Sequence, residues 1–412
     1  MSNTTRRNFL AAAAAAPAIL GAQNKSGSAL PITGEGEHKY EVIHDWGQVP
    51  SHIKLGNCHS TVEDSQGHIY LHHTVHADSQ SLDSVIEFDD KGKFVRSWGP
   101  MFAGGAHGMH LNKEGRNEYL YFCDEKHGIV TKRTLKGEEI WTMGYPQNSP
   151  TYQKGPGSNG PGGPAGLNYR PTNIAITATG SDFWIVDGYG SNYAFHYKQD
   201  GNNFPKLVKT FGGRPAAPAP AAGGPGGPGG GGRGPGGPGG GAPAAAAGGP
   251  PAGGPGAGGP GGGGAPRTPP PANTMNNPHG VWLDTRDPAK PVVLVADRGN
   301  RRIVRYTTDD EVIDTIDNMG APCHFHQRGD LLVVPDLAHR VYLIDKSDKI
   351  VVVLGDGQYN GKQNQLRVTT NRSDFEAGKF VTPHGATFDH AGNIFVAEWV
   401  EIGRFSKLRK IA

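Results

Sequence analysis

Short β-type runs recur along this chain in groups of four, and three of the groups open on one local pattern: Ala106-His107-Gly108, Pro278-His279-Gly280 and Pro383-His384-Gly385. One unit reads as strands at Pro278–Asp284, Val292–Ala296, Arg302–Tyr306 and Glu311–Ile316, with turn residues between them. Short strands at even spacing are the signature of an all-β repeat architecture. Comparable units start near His59, His107, Asn173, His324 and His384, so the count is six. A ring of repeats brings residues far apart in sequence to one axial point. The predicted fold is therefore a six-bladed β-propeller.

The ends of the chain predict how the ring closes. After His384 only three strands fit, near 386–388, 393–397 and 404–411, so the last blade lacks its outermost strand. Residues 40–46 (YEVIHDW) resemble the fourth strands elsewhere, Phe94–Trp98, Glu139–Met143 and Leu207–Phe211. The N-terminal strand is expected to complete the last blade and remove an exposed edge.

Composition sets the domain limits. The chain has 64 Gly and 33 Pro, many of them in one tract at 212–272 that lacks both apolar periodicity and a strict every-third glycine. That composition excludes collagen and predicts a disordered insertion between the third and fourth blades. Residues 1–22 carry Arg6-Arg7, a short apolar run from Ala11 and a small-residue end at Gly21-Ala22, the pattern of a twin-arginine-type signal peptide. Its apolar stretch falls short of the roughly 20 residues that span a bilayer. Residues 23–38 then read as a flexible leader and 39–412 as the propeller. The expectation is a periplasmic or secreted protein, without a membrane anchor, and monomeric. A net charge of +2 leaves no electrostatic footprint for nucleic acid. Of the three cysteines, Cys58, Cys123 and Cys323, any pair could bridge in an oxidising compartment, and each also suits a small buried strand position.

First strands of propeller blades line the central channel, which places His59, His107, Asn173, His279, His324 and His384 around it. The His-Gly units occupy blades two, four and six, about 120° apart in a six-fold ring. Three neutral imidazoles so placed can hold zinc with a position open for water or substrate. His59 and His324 are candidate additional ligands, and His110 and His326, three and two residues after channel positions, are expected deeper in the channel or packed locally.

These units, together with Val295-Ala296-Asp297-Arg298-Gly299-Asn300-Arg301-Arg302-Ile303, resemble six-bladed NHL-repeat propellers, and within them peptidyl-α-hydroxyglycine α-amidating lyase. The resemblance implies zinc on His107, His279 and His384, an active-site tyrosine at Tyr189 and an active-site arginine at Arg298. It also implies a structural calcium, but Gly385 stands where that family has a calcium-binding aspartate. Thr74 stands where it has a catalytic arginine, and Gly190 replaces a cysteine beside the tyrosine.

Tyr189 near a metal suits a proton donor or base, and Arg298 suits a carboxylate clamp. The same residues could instead pack over the channel (Tyr189) or form a salt bridge with Asp297 or a neighbouring blade (Arg298). Three functions follow. The first is an exported zinc-dependent lyase, or a related metal-assisted elimination or hydrolysis, acting on a small or peptide-like substrate. The second is an iron or copper redox enzyme using four or five channel histidines. The third is a non-catalytic propeller that binds a protein or glycan.

Overall fold

The computed structural model describes residues 30–152, 169–214, 270–359 and 361–411. The signal peptide at 1–22, the leader up to residue 29 and the tract at 215–269 lie outside the described residues.

The described chain forms six antiparallel sheets with almost no helix, five of four strands and one of five. Blade one comprises Cys58–Glu63, Ile69–His73, Val85–Phe88 and Phe94–Trp98. Blades two and three start at Ala106–Glu114 and Asn173–Ile176, blade four at Pro278–Asp284, and blade five at His326–Arg328. Blade six pairs Pro383–Phe388, Ile394–Glu398 and Arg404–Lys410 with Tyr40–Ile43. The register of that closure runs from Tyr40 opposite Lys410 to Ile43 opposite Lys407, and Glu41 pairs in charge with Arg409. The expected N-terminal closure is present.

One expectation needs correction. The described part of the leader is not loose, because Ile32–Thr33 pairs with Tyr40–Glu41 and adds a fifth strand outside the closing one. The edge of the long tract is tied down as well. Gly212 ends the fourth strand of blade three, and the Arg302 guanidinium donates to the carbonyls of Pro270, Pro271 and Thr274 on the return.

Packing follows from strand alternation: each blade has apolar side chains on both faces, and each neighbouring pair of blades shares an apolar cluster. Tyr121, Trp141, Ile174 and Phe183 join blades two and three, and Val186, Phe211, Val281 and Tyr306 join three and four. Equivalent clusters fill the other four junctions. At the closing junction Trp46 meets Phe88, Phe395 and Phe405 edge-on.

A second repeat holds each blade to its inner loop. The second strands of blades two, four, five and six end in Asp124, Asp297, Asp336 and Glu398, and Asp187 directly follows that of blade three; all five are fully buried. Their carboxylates accept backbone N–H groups, for example from Arg170 (2.8 Å), Asn276 (2.7 Å), Ala321 (2.7 Å) and Val381 (2.6 Å). Blade one uses His73 there instead, and its Nδ1 accepts from Gly56 and Val75 at 3.3 and 3.1 Å. A buried backbone donor must find an acceptor, and burial keeps His73 neutral by lowering its pKa to about 3.

Candidate metal centre

The three His-Gly units converge. Ring centroids of His107, His279 and His384 are 4.7, 4.8 and 4.6 Å apart, and all three side chains are buried. Each histidine sits at a β-bulge where the register of its first strand shifts. A bulge re-aims a side chain out of the regular alternation.

One hydrogen bond repeats with the same symmetry. His107 Nδ1 donates to Thr172 O (2.6 Å), His279 Nδ1 to Cys323 O (2.9 Å) and His384 Nδ1 to His59 O (3.0 Å), each on the following blade. A carbonyl only accepts, so each Nδ1 carries the proton and each Nε2 presents a lone pair. The following glycine makes this approach possible. A Cβ on Gly108 or Gly280 would lie 2.6 Å from the carbonyl that its histidine uses, and on Gly385 it would be closer still. The His-Gly dipeptide is thus one device, in which histidine donates and glycine makes room.

Burial and the neighbouring rings push the pKa values of His59, His107, His279 and His384 well below the ordinary histidine value. Neutral imidazoles are the form that binds a cation. Among the described residues no carboxylate joins the cluster, so a divalent ion held there would keep its full charge. His384 Nε2 is buried without a hydrogen-bond partner among the described residues, an uncompensated lone pair in the channel. These residues fit a transition-metal ion; Gly385 offers no side chain to calcium.

Tyr189 and Arg298 complete the site. The Tyr189 hydroxyl lies 3.1 Å from His279 Nε2 and 3.4 Å from His107 Nε2, and Arg298 donates to it at 3.2 Å. Burial pushes the Tyr189 hydroxyl pKa up, and the Arg298 guanidinium partly offsets this. The expected Asp297–Arg298 pair is not formed: Asp297 pairs with Arg302 at 2.8 Å, and Arg298 turns into the channel towards Cys323 Sγ. All three cysteines are free and buried.

Sequence reasoning missed Arg170. Its guanidinium lies 5.3 Å from the Tyr189 ring centroid, and Arg298 lies 5.4 Å from the same centroid. Arg170 is neutralised by Glu125, while Arg298 has no carboxylate partner among the described residues. The only signal for Arg170 was its place just before the first strand of blade three.

The two extra histidines separate. Ring nitrogens of His59, His107 and His384 come within 4.8 Å of one another, whereas His279 joins the group by ring packing and through the Tyr189 hydroxyl. Both measures share His107 and His384, and the repeated Nδ1–carbonyl bond picks out His279 as the third equivalent position. His324 lies outside that nitrogen cluster, and the histidines His326 and His110 are its neighbours at the next level. His110 and His326 pack against Trp282 with ring centroids at 5.0 and 5.3 Å and tilted planes, which is local packing. At the far end of the first strands, Glu63, His326, Arg328, Phe388 and Asp389 line a separate surface hollow of about 200 Å³.

No protein-family model and no curated protein matches this chain. Solved structures similar to it include virginiamycin B lyase from Staphylococcus aureus with quinupristin, at 11% identity, covering 90% of this chain and 100% of that one, TM-score 0.43. A streptogramin B lyase is 13% identical over 91% of this chain and 99% of its own, TM-score 0.45. A gluconolactonase from Xanthomonas campestris is 11% identical over 92% and 94%, TM-score 0.49. Likeness at this level carries no argument about activity. The six-bladed architecture rests on the sheets themselves, and the NHL and amidating-lyase resemblance has no family match behind it.

Proposed function

We propose that this protein is an exported metal-dependent enzyme of the lyase or hydrolase type, with its ion on His107, His279 and His384 and a small carboxylate-bearing or peptide-like substrate. The observation that carries this reading is the threefold Nδ1–carbonyl bond, which turns three neutral Nε2 lone pairs into one channel. A divalent ion there, zinc in the first place, would supply Lewis-acid polarisation of a substrate oxygen.

The chain's own residues do the remainder. Arg298, without a carboxylate partner among the described residues, offers its guanidinium to a substrate carboxylate in a paired, charge-assisted contact. Tyr189 stays protonated at neutral pH because burial raises its pKa, so its hydroxyl can give a hydrogen bond or proton to a departing group. Arg298 holds that hydroxyl in place. Such parts suit cleavage of a carbinolamide-like C–N bond. Export rests on residues 1–22.

Thr74 lacks the charge of an arginine, so α-hydroxyglycine peptides are expected to bind through Arg298 but turn over poorly. Calorimetric titration of the metal-loaded protein with such a peptide tests binding, and glyoxylate release tests turnover. Arg298→Gln should weaken binding by roughly tenfold or more, since hydrogen bonds to charged groups contribute about 1.5–3 kcal/mol. Tyr189→Phe should slow whatever release occurs by about 10²-fold or more. Rapid release abolished by His279→Ala would show that an arginine at position 74 is dispensable. Metal-loaded protein with no affinity for carboxylates would overturn the substrate reading.

A further inference from the structure

We propose that His59 is a fourth nitrogen ligand of the resident ion, which makes the site a four-histidine centre suited to an ion of coordination number five or six. This rests on the three-histidine reading above and changes the expected ion.

His59 is 5% exposed, and its ring centroid lies 4.4 Å from His384 and 4.9 Å from His107. Its ring nitrogen belongs to the group that comes within 4.8 Å of those two histidines. It follows the same local geometry, because the register of its first strand shifts between Cys58 and Ser60. The two blades are also joined at this point: the His59 carbonyl is the acceptor for His384 Nδ1, so the backbone that orients one ring carries the other.

Hydrogen bonding and position together mark His59. Among the described residues its Nδ1 has no partner, and neither has Nε2 of the adjacent His384; His72 and His73 also carry unpartnered ring nitrogens but lie outside that nitrogen cluster. An unsatisfied buried polar atom costs about 1–3 kcal/mol, and two in neighbouring rings, with no partner to either among the described residues, point to a shared cation. His324 also has an unpartnered Nδ1, but it lies outside the nitrogen cluster and is not part of the proposal.

The coordination number decides the ion. A catalytic zinc site uses three protein ligands and leaves the fourth position open. Four imidazoles plus a position for substrate beside Tyr189 require at least five. Imidazole suits iron, copper and nickel as well as zinc, and octahedral or five-coordinate geometry favours an ion such as iron(II) or cobalt(II).

Cobalt(II) is the probe. Full-chain protein stripped of metal and reloaded with one equivalent of cobalt(II) should show the weak visible bands of five- or six-coordination. In His59→Ala the ion should remain bound and the bands become several-fold more intense, as expected for a four-coordinate site with one added water. His59→Asn serves as a second variant if the alanine protein does not fold, and should shift the spectrum in the same direction. His324→Ala should leave it unchanged. A spectrum insensitive to both His59 substitutions, or equally sensitive to His324→Ala, overturns the fourth ligand while leaving the three-histidine frame. Failure of the native protein to bind cobalt(II), or a spectrum and affinity unaltered by His279→Ala, overturns that frame and the fourth ligand together.

Discussion

The glycine after each of the three converging histidines is the smallest part of the site with a measurable consequence. Gly280 lets Cys323 O approach, and a Cβ there would sit 2.6 Å from that oxygen. Gly280→Ala is expected to cost about 1–3 kcal/mol, the usual range for overpacking, and to loosen His279. Urea denaturation and metal content of the variant should fall together. Buried histidines also set a pH dependence. His72, His73, His110 and His326 have pKa values lowered to about 3, and His324 to about 4, all chiefly by burial. A depressed pKa means that the unfolded chain takes up protons first, so the stabilising contribution is complete above about pH 6.5 and declines as pH falls towards 3–4. At pH 5 the loss is on the order of 2 kcal/mol per group. Denaturant unfolding at pH 7 and pH 5 checks it; equal stability at both would contradict neutral burial. The histidines and their glycines were legible in the sequence because the dipeptide repeats. Which of His59 and His324 lies in the nitrogen cluster was not legible, since it depends on how the rings approach one another across blades.

At the scale of the element, the carboxylate that ends the second strand is as regular as the histidines. Asp297 is fully buried against Arg302, which is 4% exposed in its side chain. Asp297→Ala would leave a buried guanidinium without its counter-charge, and breaking such a pair costs about 3–5 kcal/mol. Unfolding should show this loss, and the return of the tract at Pro270 and Pro271, held by the same Arg302, should become protease-sensitive. Strands such as Phe94–Trp98 and Glu139–Met143 were read to the residue, because alternation and turn chemistry are local signals. The bulges were not, because a register shift depends on the partner strand. Residues Ile32–Thr33 escaped for a related reason: two residues carry no periodicity, and only the Tyr40–Ile43 strand makes them an edge. Arg298 was read both as a partner of Asp297 and as a site residue, and the path of the chain at Gly299-Asn300-Arg301 settles that it faces Tyr189.

The whole molecule is a ring whose six junctions are all filled, closed by Tyr40–Ile43 against Arg404–Lys410. Its architecture was legible because every blade repeats the same four-strand grammar. The long Gly/Pro tract falls in sequence between the last strand of blade three, ending at Gly212, and the first strand of blade four, starting at Pro278. Replacing 215–269 by a short Gly-Ser linker keeps the acceptors of Arg302 and should leave the melting temperature within a few degrees, since loop length changes closure entropy only slowly. A large fall would show that the tract packs on the propeller. The central claim is that channel imidazoles hold a metal ion. Elemental analysis of the mature protein after mild dialysis, beside His279→Ala, tests it most directly. The expected result is about one divalent transition ion per chain, lost in the variant. Protein that carries no such ion and takes none up on titration would contradict it.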